Sequence, residues 1–312
     1  MKVGIWHDFR NPPAWRRPYD RLYRENLDQI SWAEELGYES VWLSEHHVTE
    51  DGYLPSIFPM LAAIAERTST LRLGTSILLA PFQHPLRFAE DVAVVDQLSG
   101  GRIEVGLGLG YRAREFELLG VPQAERGPRT EELVETARRA WRDGTVTPPP
   151  LQRPEPPLWL GGHTLGAARR AVRLRCGFLP DAYVDESVLR LYRELGGRAV
   201  AINPTVYVGA WSDVAEHLLY QHNTYATWGG RSQVATADDL PRDRYIVGEP
   251  GVVIDALNAL IERTGCERLY FWARLPGLSI ERANRSLERF AADVLPHLRP
   301  GSGDQVVTSA VG

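Results

Sequence analysis

The sequence predicts a single (β/α)8 TIM barrel with a long insertion between its seventh and eighth strands. Two observations carry this reading. Short apolar segments alternate with longer amphipathic ones along the whole chain, and nearly all of the eight strand-like segments are followed by a helical one. Segments such as 71–79, Leu-Arg-Leu-Gly-Thr-Ser-Ile-Leu-Leu, are also apolar almost without a break, as strands covered on both faces must be. An open doubly wound sheet would need a glycine-rich turn after the first strand, and His7-Asp-Phe-Arg10 is not one.

Residues 3–9 form the first strand. A loop rich in proline and arginine, 11–18, leads to a helix over 19–36, and Gly37 stops it. The second strand, 40–45, is followed by a helix over 55–67, with Pro55 suited to its first turn. The third strand, 71–79, precedes a helix that opens at His84-Pro85 and breaks at Ser99-Gly-Gly101. Strand four, 103–109, carries Gly106, Gly108 and Gly110, and two helical pieces follow at 112–119 and 125–143. Six prolines make 145–157 a rigid extended connector. Strand five, 158–160, runs into Gly161-Gly-His-Thr164 and a helix to about residue 175. Strand six lies near 177–180, with a helix at 186–195, and strand seven spans 199–208. The excursion 209–250 is too long for a plain loop and reads as a helical cap over the C-terminal mouth, before a helix at 251–264. Strand eight, 268–273, and a helix over 279–295 complete one domain over 1–300. The polar tail 301–312 is expected to be disordered.

In composition the chain is an ordinary globular protein of 312 residues, 44% hydrophobic and 24% charged. Its net charge of −5 leaves no basic surplus for nucleic acid or an anionic membrane. No apolar run has the length of a membrane-spanning helix, and with a strand read at 3–9 and no signal-peptide h-region before it, no secretory leader is expected. The two cysteines, Cys176 and Cys266, form no CxxC pair, which suits a reducing, cytoplasmic setting and gives no zinc signature.

The chemistry concentrates where strand two ends. Val41-Trp-Leu43 gives way to Ser44-Glu-His-His47, an acid and two imidazoles at the end of a barrel strand where catalytic groups gather. His46 and His47 are adjacent and must point to opposite sides. A metal site of the barrel-hydrolase kind needs an inward His-x-His pair on strand one, which His7-Asp8 does not supply, so no metal is expected. The glycines of Gly106-Leu-Gly-Leu-Gly110 alternate along a strand, which suits either a planar ligand close to the backbone or tight barrel packing. Leu160-Gly-Gly-His-Thr164 joins a strand end to a helix start. It serves either as an anion site or as a turn capped by Thr164. Arg102, at the start of strand four, is expected to be a structural ion-pair partner.

Taken together, four motifs resemble the bacterial luciferase-like family of flavin-dependent monooxygenases: Ser44-Glu-His-His-Val-Thr-Glu-Asp-Gly52, Leu73-Gly-Thr-Ser-Ile-Leu78, the run from His84-Pro-Leu-Arg87 to Gly-Arg-Ile-Glu-Val-Gly106, and Gly110-Tyr-Arg-Ala-Arg-Glu-Phe116. The closing Asp293-Val-Leu-Pro-His-Leu298 is similar as well. The resemblance implies a homodimer pairing through the second and third helices. Each barrel would bind reduced FMN, or a deazaflavin as in sister branches, at its C-terminal mouth. It implies that His46 is the catalytic imidazole, acting near the flavin C4a position where O2 adds, with Glu45 as its support. It also implies a non-prolyl cis peptide at Ser76-Ile77, with Ser76, Ile77, Gly108 and Tyr111 beside the ring system. Where luciferase has an arginine and a Glu-Ser pair for the phosphate, this chain has Leu109 and Gly161-Gly162, which speaks against light emission. The phosphate would then rest on Gly161, Gly162, His163 and Thr164.

The expected activity is oxygenation of a small organic substrate by reduced FMN and O2, with a separate flavin reductase as supplier. Trp6, His7, Tyr225 and Trp228 would form the substrate wall. The alternatives are deazaflavin-dependent hydride transfer and a catalytically silent flavin-binding subunit.

Overall fold

The computed structural model describes residues 1–299, and the expected tail, 301–312, lies outside the described residues. Eight parallel strands form the barrel in the order β6-β5-β4-β3-β2-β1-β10-β7. They are β1 (Lys2–His7), β2 (Ser40–Leu43), β3 (Arg72–Leu79), β4 (Ile103–Gly108), β5 (Leu158–Gly161), β6 (Gly177–Leu179), β7 (Ala201–Ile202) and β10 (Arg268–Trp272). Bridges from Phe178 to Val200 and from Asp181 to Asn203 bring the last edge together. The helices are α1 (Tyr19–Glu35), α2 (Ile57–Ala65), α3 (Pro85–Leu98), α4 (Ala113–Leu118), α5 (Arg126–Arg142), α6 (Leu165–Arg173), α7 (Glu186–Glu194), α8 (Ala215–Trp228), α9 (Pro250–Thr264) and α10 (Ile280–Arg289).

Parity along each strand decides what fills the barrel. Val3, Ile5, Val41, Leu43, Val105, Leu107, Leu269 and Phe271 point outward into the layer shared with the helices. Trp6, Trp42, Trp159, Tyr270 and Trp272 point inward. Such large rings fit because the neighbouring strand offers glycine at the same level. A Cβ on Gly74 would lie 2.4 Å from the Trp42 ring, and one on Gly177 would lie 2.3 Å from the Trp159 ring. Trp42 also stacks on Tyr270, with centroids 4.8 Å apart. The interior is therefore a packed core, and the mouth is where chemistry has room.

At the opposite end of the barrel, buried Glu104 accepts from Arg268 Nη1 at 2.6 and 2.7 Å, from Arg72 Nε, and from Trp159 Nε1 at 2.9 Å. Burial alone would raise its carboxyl, but Arg268 and Arg72 overcome this and hold it below its ordinary value. Arg102 departs from the expected ion pair. Its side chain donates to the carbonyls of Ala65, Thr68, Leu71 and Ser99 and to the Thr68 hydroxyl, tying two turns together through backbone acceptors. The proline-rich connector is pinned by fully buried Asp96, which accepts from the backbone N–H groups of Leu151 and Gln152.

The expected strand seven is divided. Pro204 has no N–H to donate, so barrel pairing ends at Asn203, just past β7. The chain re-enters extended structure as β8 (Thr205–Val208), which pairs in parallel with β9 (Tyr245–Gly248) in a separate two-stranded sheet. The excursion 209–250 thus contains the expected helix, α8, and also a strand that the sequence did not suggest. Among the described residues, no helix is long and apolar enough to cross a membrane.

Candidate active site

His46 lies three residues past the end of β2, and its backbone N–H donates to the Leu54 carbonyl at 3.2 Å. Its Nδ1 lies 2.9 Å from Glu115 Oε1, on α4. The same oxygen accepts from the His47 backbone N–H at 2.8 Å and from Arg112 Nη1 at 3.0 Å. A carboxylate acceptor at Nδ1 places the proton on that nitrogen and leaves the Nε2 lone pair available. Burial pushes the His46 imidazole below its ordinary 6.5; Glu115 opposes the shift, and Arg112 and Arg10 reinforce it. Near neutral pH the ring is an uncharged base whose tautomer is fixed. This corrects the expectation for Glu45, whose carboxylate does not reach His46.

Glu45 instead serves His47. Its Oε1 lies 2.6 Å from His47 Nε2, and its Oε2 accepts from the Leu79 backbone N–H at 2.8 Å, locking the end of β2 to the end of β3. The two histidines part as their adjacency requires. His47 and Glu45 face a cleft of about 450 Å3 that Ile57 and Phe58 of α2 and Val94 and Val95 of α3 also line. Burial lowers the His47 pKa, but Glu45 more than offsets it, so the net shift is upward from 6.5. Neighbouring imidazoles are thus expected to titrate on opposite sides of 6.5, which ring-proton NMR across a pH series will read. Because the folded His47 value is raised, the dyad's stabilisation is complete below 6.5 and is lost as pH rises through that raised value. The same transition should be missing in Glu45→Gln.

Helix α8 lays its C-terminal half over this strand end. Trp228 sits 4.7 Å from the His46 ring, and Tyr53 meets His46 edge-on at 4.8 Å. A hydroxyl chain runs from Ser44 Oγ to Tyr53 at 2.6 Å and on to Tyr225 at 3.1 Å. Of the expected substrate wall, Tyr225 and Trp228 therefore gather at His46. Trp6 faces the barrel interior, 3.9 Å from Trp272. His7 shares the outward parity of Val3 and Ile5, is 1% exposed, and is pushed down to about 3 by burial and by Arg274. It ends β1 facing the helical layer, with its ring 5.7 Å from Phe9, and lines the small cavity that also touches Arg10 and Arg274.

A shelf opens beside His46 at the ends of β4 and β5. Tyr111, 43% exposed, stands 5.7 Å from the His46 ring. Gly108 and Gly161 flank Ile77; a Cβ on Gly108 would lie 1.6 Å from the Ile77 Cδ1. The Ser76-Ile77 peptide is cis, and the Ser76 hydroxyl lies 2.8 Å from that of Tyr270. The loop beyond corrects one expectation. The Gly162 N–H donates to the Leu179 carbonyl at 3.3 Å, and its missing Cβ makes room for Ala167. Thr164 accepts from the Ala167 N–H at 3.2 Å and caps α6. Any anion at this end must take the N–H groups at the exposed start of α6, from His163 onward. Among the described residues, no cluster of His, Cys, Asp or Glu is placed to hold a metal ion.

A family model for the luciferase-like monooxygenases matches residues 1–268. The chain belongs to that family. It is an oxidoreductase. The oxygenase component of flavin-dependent trigonelline monooxygenase from Acinetobacter baylyi is 26% identical across 88% of this chain and 90% of its own length. The monooxygenase RslO1 from Streptomyces bottropensis superposes with a TM-score of 0.84 at 26% identity, covering 95% of this chain and 99% of its own. The oxygenating constituent of 3,6-diketocamphane monooxygenase from Pseudomonas putida, solved in complex with FMN, shares the fold with a TM-score of 0.80 at 18% identity over 96% and 99%.

Within this luciferase-like site the sequence reading missed Glu115 and Arg10. Glu115 lay in plain view in the Gly110–Phe116 motif, but a helix residue 69 positions from His46 gives no local sign of its partner. Arg10 sits just past β1 in a stretch read only as the absence of a glycine turn.

Proposed function

We propose that this luciferase-like enzyme oxygenates a small organic substrate with reduced FMN and O2, the reduced flavin being supplied by a separate reductase. The observation that carries the reading is the buried, neutral His46, its Nδ1 proton held by Glu115 and its Nε2 available at the barrel mouth. The shelf fits a flavin: Tyr111 and the half-buried Ile77 border it, and the start of α6 at His163 and Thr164 is exposed to take the phosphate. When bound, the flavin supplies the electrons that activate O2. His46 Nε2 accepts or returns the proton that this chemistry exchanges. Glu115 keeps the ring in one tautomer, while Tyr53 and Trp228 exclude water from it. Pairing of two copies through α2 and α3 belongs to the same reading; Leu86, Val94 and Leu98 are exposed on α3.

The test is anaerobic binding of photoreduced FMN followed by mixing with oxygenated buffer. The expected result is saturable binding and reoxidation slower than that of free flavin. Reoxidation at the free-flavin rate, together with tight binding of a reduced deazaflavin, would replace oxygenation by hydride transfer.

A further inference from the structure

Glu115 Oε1 collects three donors, the His46 ring, the His47 backbone N–H and Arg112 Nη1, while Oε2 is buried with no partner among the described residues. Water scarcely screens this carboxylate, which is 1% exposed, so its charge must be met by a cation beside it. The His46 ring and Arg112 both lie within reach. If the imidazole met the charge, both of its nitrogens would carry protons and Nε2 could accept none. Arg112 offers the other solution. Its Nη1 donates to Glu115 at 3.0 Å and also to the His47 carbonyl at 3.0 Å, so the guanidinium ties α4 to the strand end that carries both histidines. Its Cζ lies 4.2 Å from the Trp228 ring, which is itself 4.7 Å from the His46 ring. A planar cation suits both the hydrogen bonds and the stack.

We propose that Arg112 is a positioning residue that keeps the His46 base uncharged: it supplies the counter-charge of Glu115, so the carboxylate holds the Nδ1 proton without drawing a second proton onto the ring. The stack on Trp228, the last residue of α8, holds the guanidinium in that place. Burial raises the Glu115 carboxyl, but His46, the His47 N–H and Arg112 overcome it and keep it ionised. Burial lowers the His46 imidazole, and Arg112 adds to that by opposing a second positive charge beside its own. The other groups around His46 are matched elsewhere or neutral. Arg10 pairs with Asp51 at 2.7 Å, and His47 pairs with Glu45 at 2.6 Å. Desolvation pushes the Tyr53, Tyr111 and Tyr225 hydroxyls up, so near pH 7 they carry no charge.

The assignment rests on the proposed oxygenase reading for its purpose, but its test needs no flavin. Ring-proton NMR follows the His46 titration in the full-length wild type, in Arg112→Gln and in Arg112→Lys. The titration is expected to move upward in Arg112→Gln, which removes the charge, and to stay near the wild type in Arg112→Lys, which keeps it. Glu115→Gln should move it the other way. No upward movement in Arg112→Gln, or an equal movement in both Arg112 variants, overturns the assignment, because a side chain that only packs against Trp228 would not distinguish charge from shape. If Arg112→Gln does not fold, nitrogen-15 NMR of the wild type decides: the Arg112 Nη resonances must shift as His46 titrates, and resonances that stay still refute the pairing. Reoxidation of FMN at the free-flavin rate, with the Arg112→Gln shift intact, would overturn the oxygenase reading alone.

Discussion

His46→Ala is expected to lower turnover with reduced FMN about 10²- to 10⁴-fold, the span that a positioned proton-transfer group contributes. Flavin binding should stay within a few-fold of the wild type, because the shelf at α6 and Tyr111 is untouched. Turnover that survives the substitution would remove His46 from the proposed chemistry. The pH profile adds a second reading. Burial holds the imidazole below 6.5, so the acid limb of kcat/KM should rise with pH at a value below 6.5. Glu115→Gln removes the influence that raises that pKa, so the limb should move further toward acid. The rate on the plateau should also fall, because an amide no longer dictates which ring nitrogen carries the proton. A purely packing role for Glu115 would lower stability without moving the limb.

The second large effect concerns the fold. Glu104→Ala should destabilise the protein by about 3 kcal/mol, the lower end of the range for breaking a buried ion pair. Water reaches the partly exposed Arg72 and Arg268 side chains, which keeps the loss from being larger. The melting temperature should drop by about 6–12 °C, measured by circular dichroism. The sign of the pH dependence follows from the depressed carboxyl. Its contribution is complete above the ordinary 4.5 and is lost as pH falls through the lower folded value. The wild type should therefore lose stability on acidification below 4.5, and the variant should lose less over that interval.

The barrel was legible because burial on both faces writes itself into sequence as runs such as 71–79, and βα alternation then leaves few topologies. The strand end at Glu45-His46-His47 was legible for the same reason: polar groups that follow an apolar strand must sit at its rim. What could not be read is partnership across distance. Glu45 and Glu115 are both carboxylates near an imidazole, and only the fold shows that the first takes His47 and the second takes His46. His7 is different, since its parity with Val3 and Ile5 already turned it away from the barrel interior that Trp6 faces. The break at Asn203-Pro204 was equally visible as a residue without an N–H, but the parallel partner at 245–248 was not, because four residues of strand in a long excursion carry little pattern.

The barrel interior is plugged by Trp42, Trp159 and Tyr270, each seated against its neighbours. Such a plug closes the barrel axis, so whatever binds at the mouth neither enters nor leaves through the bottom. Under the proposed function, cofactor, substrate and product would share the mouth as entrance and exit, and release of one would clear the way for the next.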